Sequence, residues 1–581
     1  MVPCPLNGST DLTRSTDNTC SADFTCAANL LKDPLRRQFC GGGDGGRDGL
    51  LPFLMGKQGA FRKRPAAEPA AARIKTPPSV LRATSNPNRK AWLESLPAEH
   101  PAWSEQLLRV FEEEVRQCVE IHQGREITLN MWSDCAGLMV EGFAVRRIAQ
   151  SLRELAGIKL NIKLFCACEL KPELQKFISA NHSPKHIAKD MMQRDWEQGQ
   201  FECIQCGTLS MPKQGIDIYV CGFPCVPWTP SGLRKGFDDA NSQQCFAAIK
   251  TIVCMQPGLF FLENVMECTQ VRDGKDFDKI LAYIHAELPS YHVNVWTNVD
   301  PTQAGYPIRR ARVIISGAHH GLVAGPFLTQ SIHKVSSNPL PVLATYIDFL
   351  GLGQPLEWER LHKLPNATEV YAIKQDGCLC SFDPWVLCPL HPCRCKQCGA
   401  NQGDKSCEWR EKANTYINQH LGISTVPQHF LQEITYLQAL ELFSGSKRCG
   451  PTSPRERNML NIIARNPSLP QMSRSYACMD ISQSINRMKL QTSGAVPTIG
   501  LNTNIWVFAF GMTLNQYQIA RLMGHCLKLE DFDSTSLSDN QLKAALGNGL
   551  HVACIGRVIF PAIMAAMMGF AGSPVASPSH A

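Results

Sequence analysis

The 581-residue sequence lacks several things. No apolar stretch follows a basic start near the N-terminus, so no secretory signal is expected. No apolar run is expected to reach the roughly 18 residues of a membrane span. The longest, Val558 to Gly572, follows Arg557 and reads as a terminal core helix. Without a secretory route, the 26 cysteines are expected to be reduced, buried, metal-bound or catalytic rather than paired. Acid is nearly missing from residues 57–90, where Glu68 stands against nine basic residues. No internal repeat is present. Charged residues at 19 % beside a 44 % hydrophobic class exclude wholesale disorder and a fibrous chain. At ordinary domain sizes the length implies about three to five units.

The basic surplus of residues 57–90 exceeds the net charge of the whole chain, which is +7. The remainder is close to neutral, so a polyanion would have to meet a local cleft rather than a basic globule. Residues 1–90 also carry Gly41, Gly42, Gly43, Gly45 and Gly46 and then a Pro/Ala/Arg stretch. Such a segment cannot bury enough apolar surface to offset its chain entropy, and disorder is expected. The run Phe61-Arg62-Lys63-Arg64-Pro65, with Arg73 and Lys75, reads either as a nuclear-import or nucleic-acid-tethering signal or as a solvated basic linker.

From residue 91 the pattern changes. A helix is predicted over 101–118, a strand over 127–132, a helix over 141–155, a strand over 160–168 and a helix over 172–179. A short apolar strand at 216–221, a helix at 243–255, a buried strand at 258–262 and strands at 293–298 and 312–316 follow. Strands alternating with helices predict a doubly wound, mostly parallel sheet. In such sheets ligands bind beyond the carboxyl ends of the strands. Residues 321 to about 510 lack this rhythm and are rich in Pro, Asn and Cys. Strand–helix order returns near Trp506, with helices predicted over 514–523, 541–546 and 552–568, so the middle reads as an insertion.

The strand at 216–221 runs into Gly222-Phe223-Pro224-Cys225-Val226-Pro227-Trp228-Thr229. Prolines stiffen this turn and hold the thiol in one place. A thiolate there can add to an electron-poor carbon; the bland alternative is a buried structural cysteine. Cys225 has company. The next strand ends in Glu263-Asn264-Val265, a later loop reads Pro307-Ile308-Arg309-Arg310-Ala311-Arg312, Ile519 to Gly524 reads Ile-Ala-Arg-Leu-Met-Gly, and Gly547-Asn548 stands near the end. In this order the segments resemble the motifs of the DNA (cytosine-5) methyltransferase family, over about 130–317 and 505–570. Ile308 stands where that family has Gln, and Cys135 where it has Phe.

The resemblance implies a Rossmann-like methyltransferase sheet with an inserted, irregular, Cys-rich target recognition domain. The implied organisation is a basic arm (1–90), a first catalytic part (91–320), the insertion (321–504), a return to the core (505–572) and a tail (573–581). It implies methyl transfer from S-adenosylmethionine to C5 of a flipped-out cytosine in DNA through a covalent Cys225–C6 adduct. Glu263 would hydrogen-bond N3, and Arg310 and Arg312 would orient the base through its carbonyl and the adjacent phosphate. Pro224, Asn264 and Trp228 would help position the substrate. Gly137, Glu169, Asp190 and Asn548 would hold the methyl donor, Glu169 through the ribose hydroxyls. Two alternatives stay open: a transfer RNA cytosine-5 methyltransferase with the same residues, and a catalytically weak homologue that binds nucleic acid. With the basic run of residues 61–75, the expected setting is the nucleus, otherwise elsewhere inside the cell, and no membrane partner is expected. In the insertion, Cys388, His391, Cys393, Cys395 and Cys398 read as a structural zinc set or as a reduced Cys-rich loop. Cys203-x-x-Cys206 has zinc spacing too, but no second pair lies beside it in sequence.

Overall fold

The computed structural model describes residues 102–229, 234–321, 325–352, 456, 476–484, 490–510, 512–525, 527 and 532–569. All of them lie in one compact unit, Ser79–Ala581. Helices α1 (Trp103–Val110) and α2 (Glu112–His122) come first. The single helix expected there breaks at Phe111, whose φ is −110° and ψ 32°. Phe111 is fully buried, with its ring centroid 5.6 Å from that of Phe560. Tertiary packing here overrides a continuous helical propensity.

The chain then runs β1 (Glu126–Asp134), α3 (Val140–Ala156), β2 (Lys159–Cys168), α4 (Pro172–His182), β3 (His186–Ala188), β4 (Gln200–Cys203) and β5 (Gly207–Ser210). Next come β6 (Ile218–Cys221), α5 (Gln243–Met255), β7 (Leu259–Val265), α6 (Lys275–Glu287), β8 (Tyr291–Val299) and β9 (Arg312–His319). These strands form one sheet in the order β5-β4-β3-β2-β1-β6-β7-β9-β8. The expectation of a mostly parallel sheet holds for its centre only. Pairings from β3 across to β7 are parallel. Those of β4, β5, β8 and β9 are antiparallel. Antiparallel neighbours need only a short turn, whereas parallel ones need a crossover helix. β3, β4 and β5 span three or four residues each, too few to show a period, and sequence patterning misses them.

Alternation along the central strands explains the two-sided core. Ile218, Val220, Leu259 and Phe261 join one hydrophobic cluster with α3, α4 and the C-terminal helix. Tyr219, Cys221, Phe260 and Leu262 join the other, with α5 and α6. Successive side chains of a strand point to opposite faces, and a parallel sheet buries both. The chain steps from β1 outward to β3, then returns to place β6 on the other side of β1. That makes the carboxyl ends of β1 and β6 the switch point where a ligand crevice forms.

Beyond β9 lie α7 (Gly325–Ser336), α8 (Tyr346–Phe349), a three-stranded antiparallel sheet of β10 (Cys478–Asp480), β11 (Ile505–Val507) and β12 (Met512–Thr513), then α9 (Gln516–Leu522), α10 (Asp539–Asn548) and α11 (Val552–Gly569). Leu328, Val335, Tyr346, Val496 and Ile499 share the hydrophobic cluster of α3 and α11. Arg309 N donates to Val496 O at 2.9 Å and Val496 N to Pro307 O at 2.8 Å, so the returning segment is stitched to the loop before β9. Contrary to the sequence expectation, one helix among the described residues is long and apolar enough to cross a membrane: α11, 18 residues. It is 89 % buried within the fold. Its Arg557 donates to Val335 O at 2.9 Å and to Gln106 Oε1 at 3.2 Å, which satisfies the charge inside the protein.

Candidate active site

A cavity of about 300 Å³ opens at the carboxyl ends of β1, β2, β6 and β7. Gly137, Glu169, Pro224, Cys225, Glu263, Arg310, Arg312 and Asn548 all line it. Eight residues chosen from sequence, spread over more than 400 positions, therefore meet in one place.

The Cys225 turn follows β6 directly. Trp228 N and Thr229 N both donate to Cys225 O at 3.0 Å, closing the turn around the cysteine. Asn264 Nδ2 donates to Phe223 O at 3.1 Å and ties the turn to β7. Asn264 is therefore a support for the turn and lies outside the cavity lining. Trp228 also fails as a substrate contact: it is fully buried, edge-on to Phe223 at 5.7 Å and to Phe237 at 6.1 Å. Both residues hold the thiol's backbone rather than a substrate.

Pairing of β7 with β9 sets Val265 opposite Arg312 and brings that guanidinium to Glu263. Arg312 Nε lies 2.9 Å from Glu263 Oε1. Burial pushes the Glu263 carboxyl above its ordinary range, and Arg312 and Arg310 offset part of this. Burial and then the Glu263 charge push the Cys225 thiol up, opposed by Arg312 and Arg310. The resting thiol is therefore held as S–H near neutrality, beside a cation that favours its ionised form.

Arg310 does something other than expected. Its Nη1 donates to Ile499 O at 2.6 Å, and its Nη2 to Gly547 O at 3.0 Å and to Gly549 O. Asp300 Oδ2 accepts from its backbone N at 2.8 Å. With both terminal nitrogens engaged by carbonyls, Arg310 pins the returning chain to the site rather than reaching for a base or phosphate. A Cβ at Gly547 would lie 2.2 Å from Gly500 O, so only glycine lets the two segments approach. Asn548 enters the cavity lining through this closure.

At the other end, the β1–α3 loop adopts the left-handed region at Cys135 (φ 51°), Gly137 (φ 57°) and Met139 (φ 52°). For the two non-glycine residues this costs on the order of 1 kcal/mol each. Hydrogen bonds hold the loop: Ala136 N to Cys168 O at 3.0 Å and Gly142 N to Met139 O at 3.0 Å. Glu169 takes a backbone N–H on each oxygen, Gly137 N on Oε2 at 2.9 Å and Lys171 N on Oε1 at 3.0 Å. The loop thus keeps its left-handed residues through these hydrogen bonds. Asp190 is not part of this wall: its Oδ1 accepts from Met192 N at 2.9 Å, and it lies outside the lining.

Sequence reasoning missed two acids here. Glu141, in the first turn of α3, lines the cavity and accepts from Ser133 Oγ. Burial pushes its carboxyl up to about 7. Asp134, at the end of β1, accepts from Arg194 Nη1 at 2.6 Å, Tyr219 OH at 2.8 Å and Trp132 Nε1 at 2.8 Å. Their positions, a strand's carboxyl end and a helix's first turn, were the available signal. The expected zinc set Cys388, His391, Cys393, Cys395 and Cys398 lies outside the described residues.

A central parallel sheet with a cysteine turn at its switch point defines a Rossmann-like α/β domain whose crevice holds Cys225. Residues 150–349 match the family model described as C-5 cytosine-specific DNA methylase. The chain is 33 % identical over 175 residues to the type II methyltransferase M.BsuFI of Bacillus subtilis, covering 30 % of this chain and 39 % of that protein. It is 28 % identical over 155 residues to M.NlaX of Neisseria lactamica, covering 26 % and 44 %. The chain therefore spans less than half the length of these relatives. The crystal structure of the S. pombe Dnmt2 methyltransferase aligns over 74 % of this chain and 97 % of its own at 13 % identity. Its TM-score of 0.33 leaves the fold resting on the strand order above.

Proposed function

We propose that this chain transfers a methyl group from S-adenosylmethionine to C5 of cytosine in DNA, with the base flipped out of the duplex. The observation that carries the reading is the meeting of Cys225, Glu263 and Arg312 in one cavity with Gly137 and Glu169. The family match over residues 150–349 and the type II methyltransferase relatives favour DNA as the polymer.

The second end of the cavity fits the methyl donor. Each oxygen of Glu169 keeps acceptor capacity beyond its backbone partner and can receive a ribose hydroxyl. At Gly137 a Cβ would meet only Cys135 O, at 4.0 Å, so the missing side chain leaves a cradle beside the loop. S-adenosylmethionine brings an electrophilic methyl sulfonium. Cytosine C5 is too weak a nucleophile to take that methyl unaided. Cys225, as thiolate, bonds to C6 and makes C5 enamine-like. Charge developing toward N3 is met by Glu263, which takes up a proton in the complex, a step that its burial favours and Arg312 and Arg310 oppose. Arg312 beside Glu263 and Cys225 favours the sulfur anion. Once C5 has taken the methyl, with the donor's sulfur left as a neutral thioether, the C5 proton passes to water and the Cys225 sulfur departs as thiolate, which restores the aromatic ring.

Purified protein incubated with labelled S-adenosylmethionine and, separately, duplex DNA and total RNA tests this. Label in DNA that vanishes in Cys225→Ser supports the reading. Label in RNA alone moves the substrate to RNA, and transfer to neither polymer rejects the enzyme reading in favour of a nucleic-acid-binding homologue. The basic run between Phe61 and Lys75 supports nuclear import. A fluorescent reporter carrying residues 57–90 that stays evenly distributed overturns that part.

A further inference from the structure

The β5-β4-β3 edge of the sheet carries ligand-type side chains that take no part in the cavity. His186 opens β3, Cys203 ends β4, and Cys206 stands in the turn to β5. Backbone pairing brings them together: Ala188 pairs with Cys203, and Ile204 N donates to Ile187 O at 2.9 Å. One nitrogen of His186 and the two sulfurs all lie within 4.8 Å of one another. Cys206 Sγ is 3.6 Å from His186 Nδ1. A tetrahedral site with zinc–sulfur bonds of about 2.3 Å sets its sulfurs about 3.8 Å apart, so closure needs a shift of only about 1 Å.

The surroundings suit a metal. Edge-on contacts from Phe165 at 5.2 Å and Phe201 at 6.2 Å fix the imidazole plane. Cys203 is buried while Cys206 is exposed, so a fourth position would face solvent.

We propose that His186, Cys203 and Cys206 bind one zinc ion, completed by a solvent molecule, which clamps the β4–β5 hairpin to the last parallel strand. Two thiolates and an imidazole are a zinc-selecting donor set. The clamp has mechanical sense. Strands β4 and β5 have four residues each and β5 is largely exposed, and such a hairpin is marginal on its own. The loop between β3 and β4 also carries Arg194, which holds Asp134 at the wall of the cavity. A metal-fixed hairpin therefore steadies one side of the site from outside it.

The test compares zinc per chain, by plasma mass spectrometry, in the full-length wild type, Cys203→Ser, Cys206→Ser, His186→Cys and Cys395→Ser. The last serves as a control for the other cysteine cluster. Each serine variant at 203 or 206 is expected to lose about one zinc per chain, whereas His186→Cys, which replaces one ligand with another, retains it. In cobalt-loaded protein the sulfur-to-cobalt absorption weakens in Cys203→Ser and persists in His186→Cys. Should the serine variants not fold, the wild type still decides. Added zinc is expected to slow alkylation of exposed Cys206 at least about tenfold, as a ligated sulfur is no longer a free nucleophile. Equal zinc content in wild type and folded serine variants, unchanged alkylation, or a Cys203–Cys206 disulfide in the purified protein overturns the proposal.

Discussion

The two ends of the cavity solve the same problem with different partners. At the nucleophile end a buried carboxylate, Glu263, faces a guanidinium, Arg312, and a thiol, Cys225. At the cofactor end a buried carboxylate, Glu169, faces backbone N–H groups of Gly137 and Lys171. Side-chain partners leave Glu263 poised to hold or release a proton, since burial and a neighbouring cation pull its pKa in opposite directions. Backbone partners cannot titrate or swing away, so they bind Glu169 to one geometry. On the proposed function, the chemistry falls to the first end and the holding to the second.

Substitutions at each end should separate these roles. Cys225→Ser removes the adduct-forming sulfur and is expected to cut methyl transfer by more than about 10³-fold while leaving thermal stability near wild type. A folded Cys225→Ser that keeps its rate would erase the distinction between the ends. Glu263→Gln is next, with a rate loss of about 10²–10⁴-fold, the range of a positioned general acid. The same change removes the anion that raises the Cys225 pKa, so iodoacetamide should label Cys225 faster at pH 8 than in wild type; slower labelling contradicts the coupling.

At the cofactor end, Glu169→Gln weakens charge-assisted hydrogen bonds to the ribose. Calorimetry should show about 10- to 100-fold weaker S-adenosylmethionine binding. If saturating donor does not restore most of the rate, Glu169 acts in chemistry and the comparison fails. Glu141→Gln is the smallest effect on turnover and the clearest on stability. The folded-state pKa of Glu141 is raised to about 7 from 4.5. The folded state therefore binds more protons than the unfolded one between these values, and stability contributed by the protonated acid is lost as pH rises through that window. Above pH 7 the penalty is on the order of 3 kcal/mol, and glutamine, which keeps an acceptor for Ser133, removes it. Urea unfolding at pH 5 and pH 8 should show Glu141→Gln gaining stability over wild type only at pH 8.

Much of the site was legible because its residues sit next to punctuation the backbone cannot avoid. Pro224 and Pro227 around Cys225, and the acids Glu169 and Glu263 at strand ends, mark the carboxyl edge of a parallel sheet. What stayed hidden depended on partners far away in the chain. Arg310 reads as a substrate contact until Ile499, Gly547 and Gly549 are seen to occupy it. Trp228 reads as a recognition aromatic until Phe223 and Phe237 enclose it. Cys203 and Cys206 read as an isolated pair until β3 brings His186 beside them. Short edge strands carry no period, and sequence patterning has nothing to grip there.

By itself, the sequence determined the alternating core of the central strands, the helices between them and the ordered set of reactive residues at their ends, because period and chain order are local properties. Tertiary structure decided which of those residues face the cavity, which arginine meets Glu263 and which is caged by carbonyls, and how a loop with one glycine in place of several keeps its left-handed shape. Those outcomes follow from long-range pairing and burial, which no stretch of sequence contains on its own.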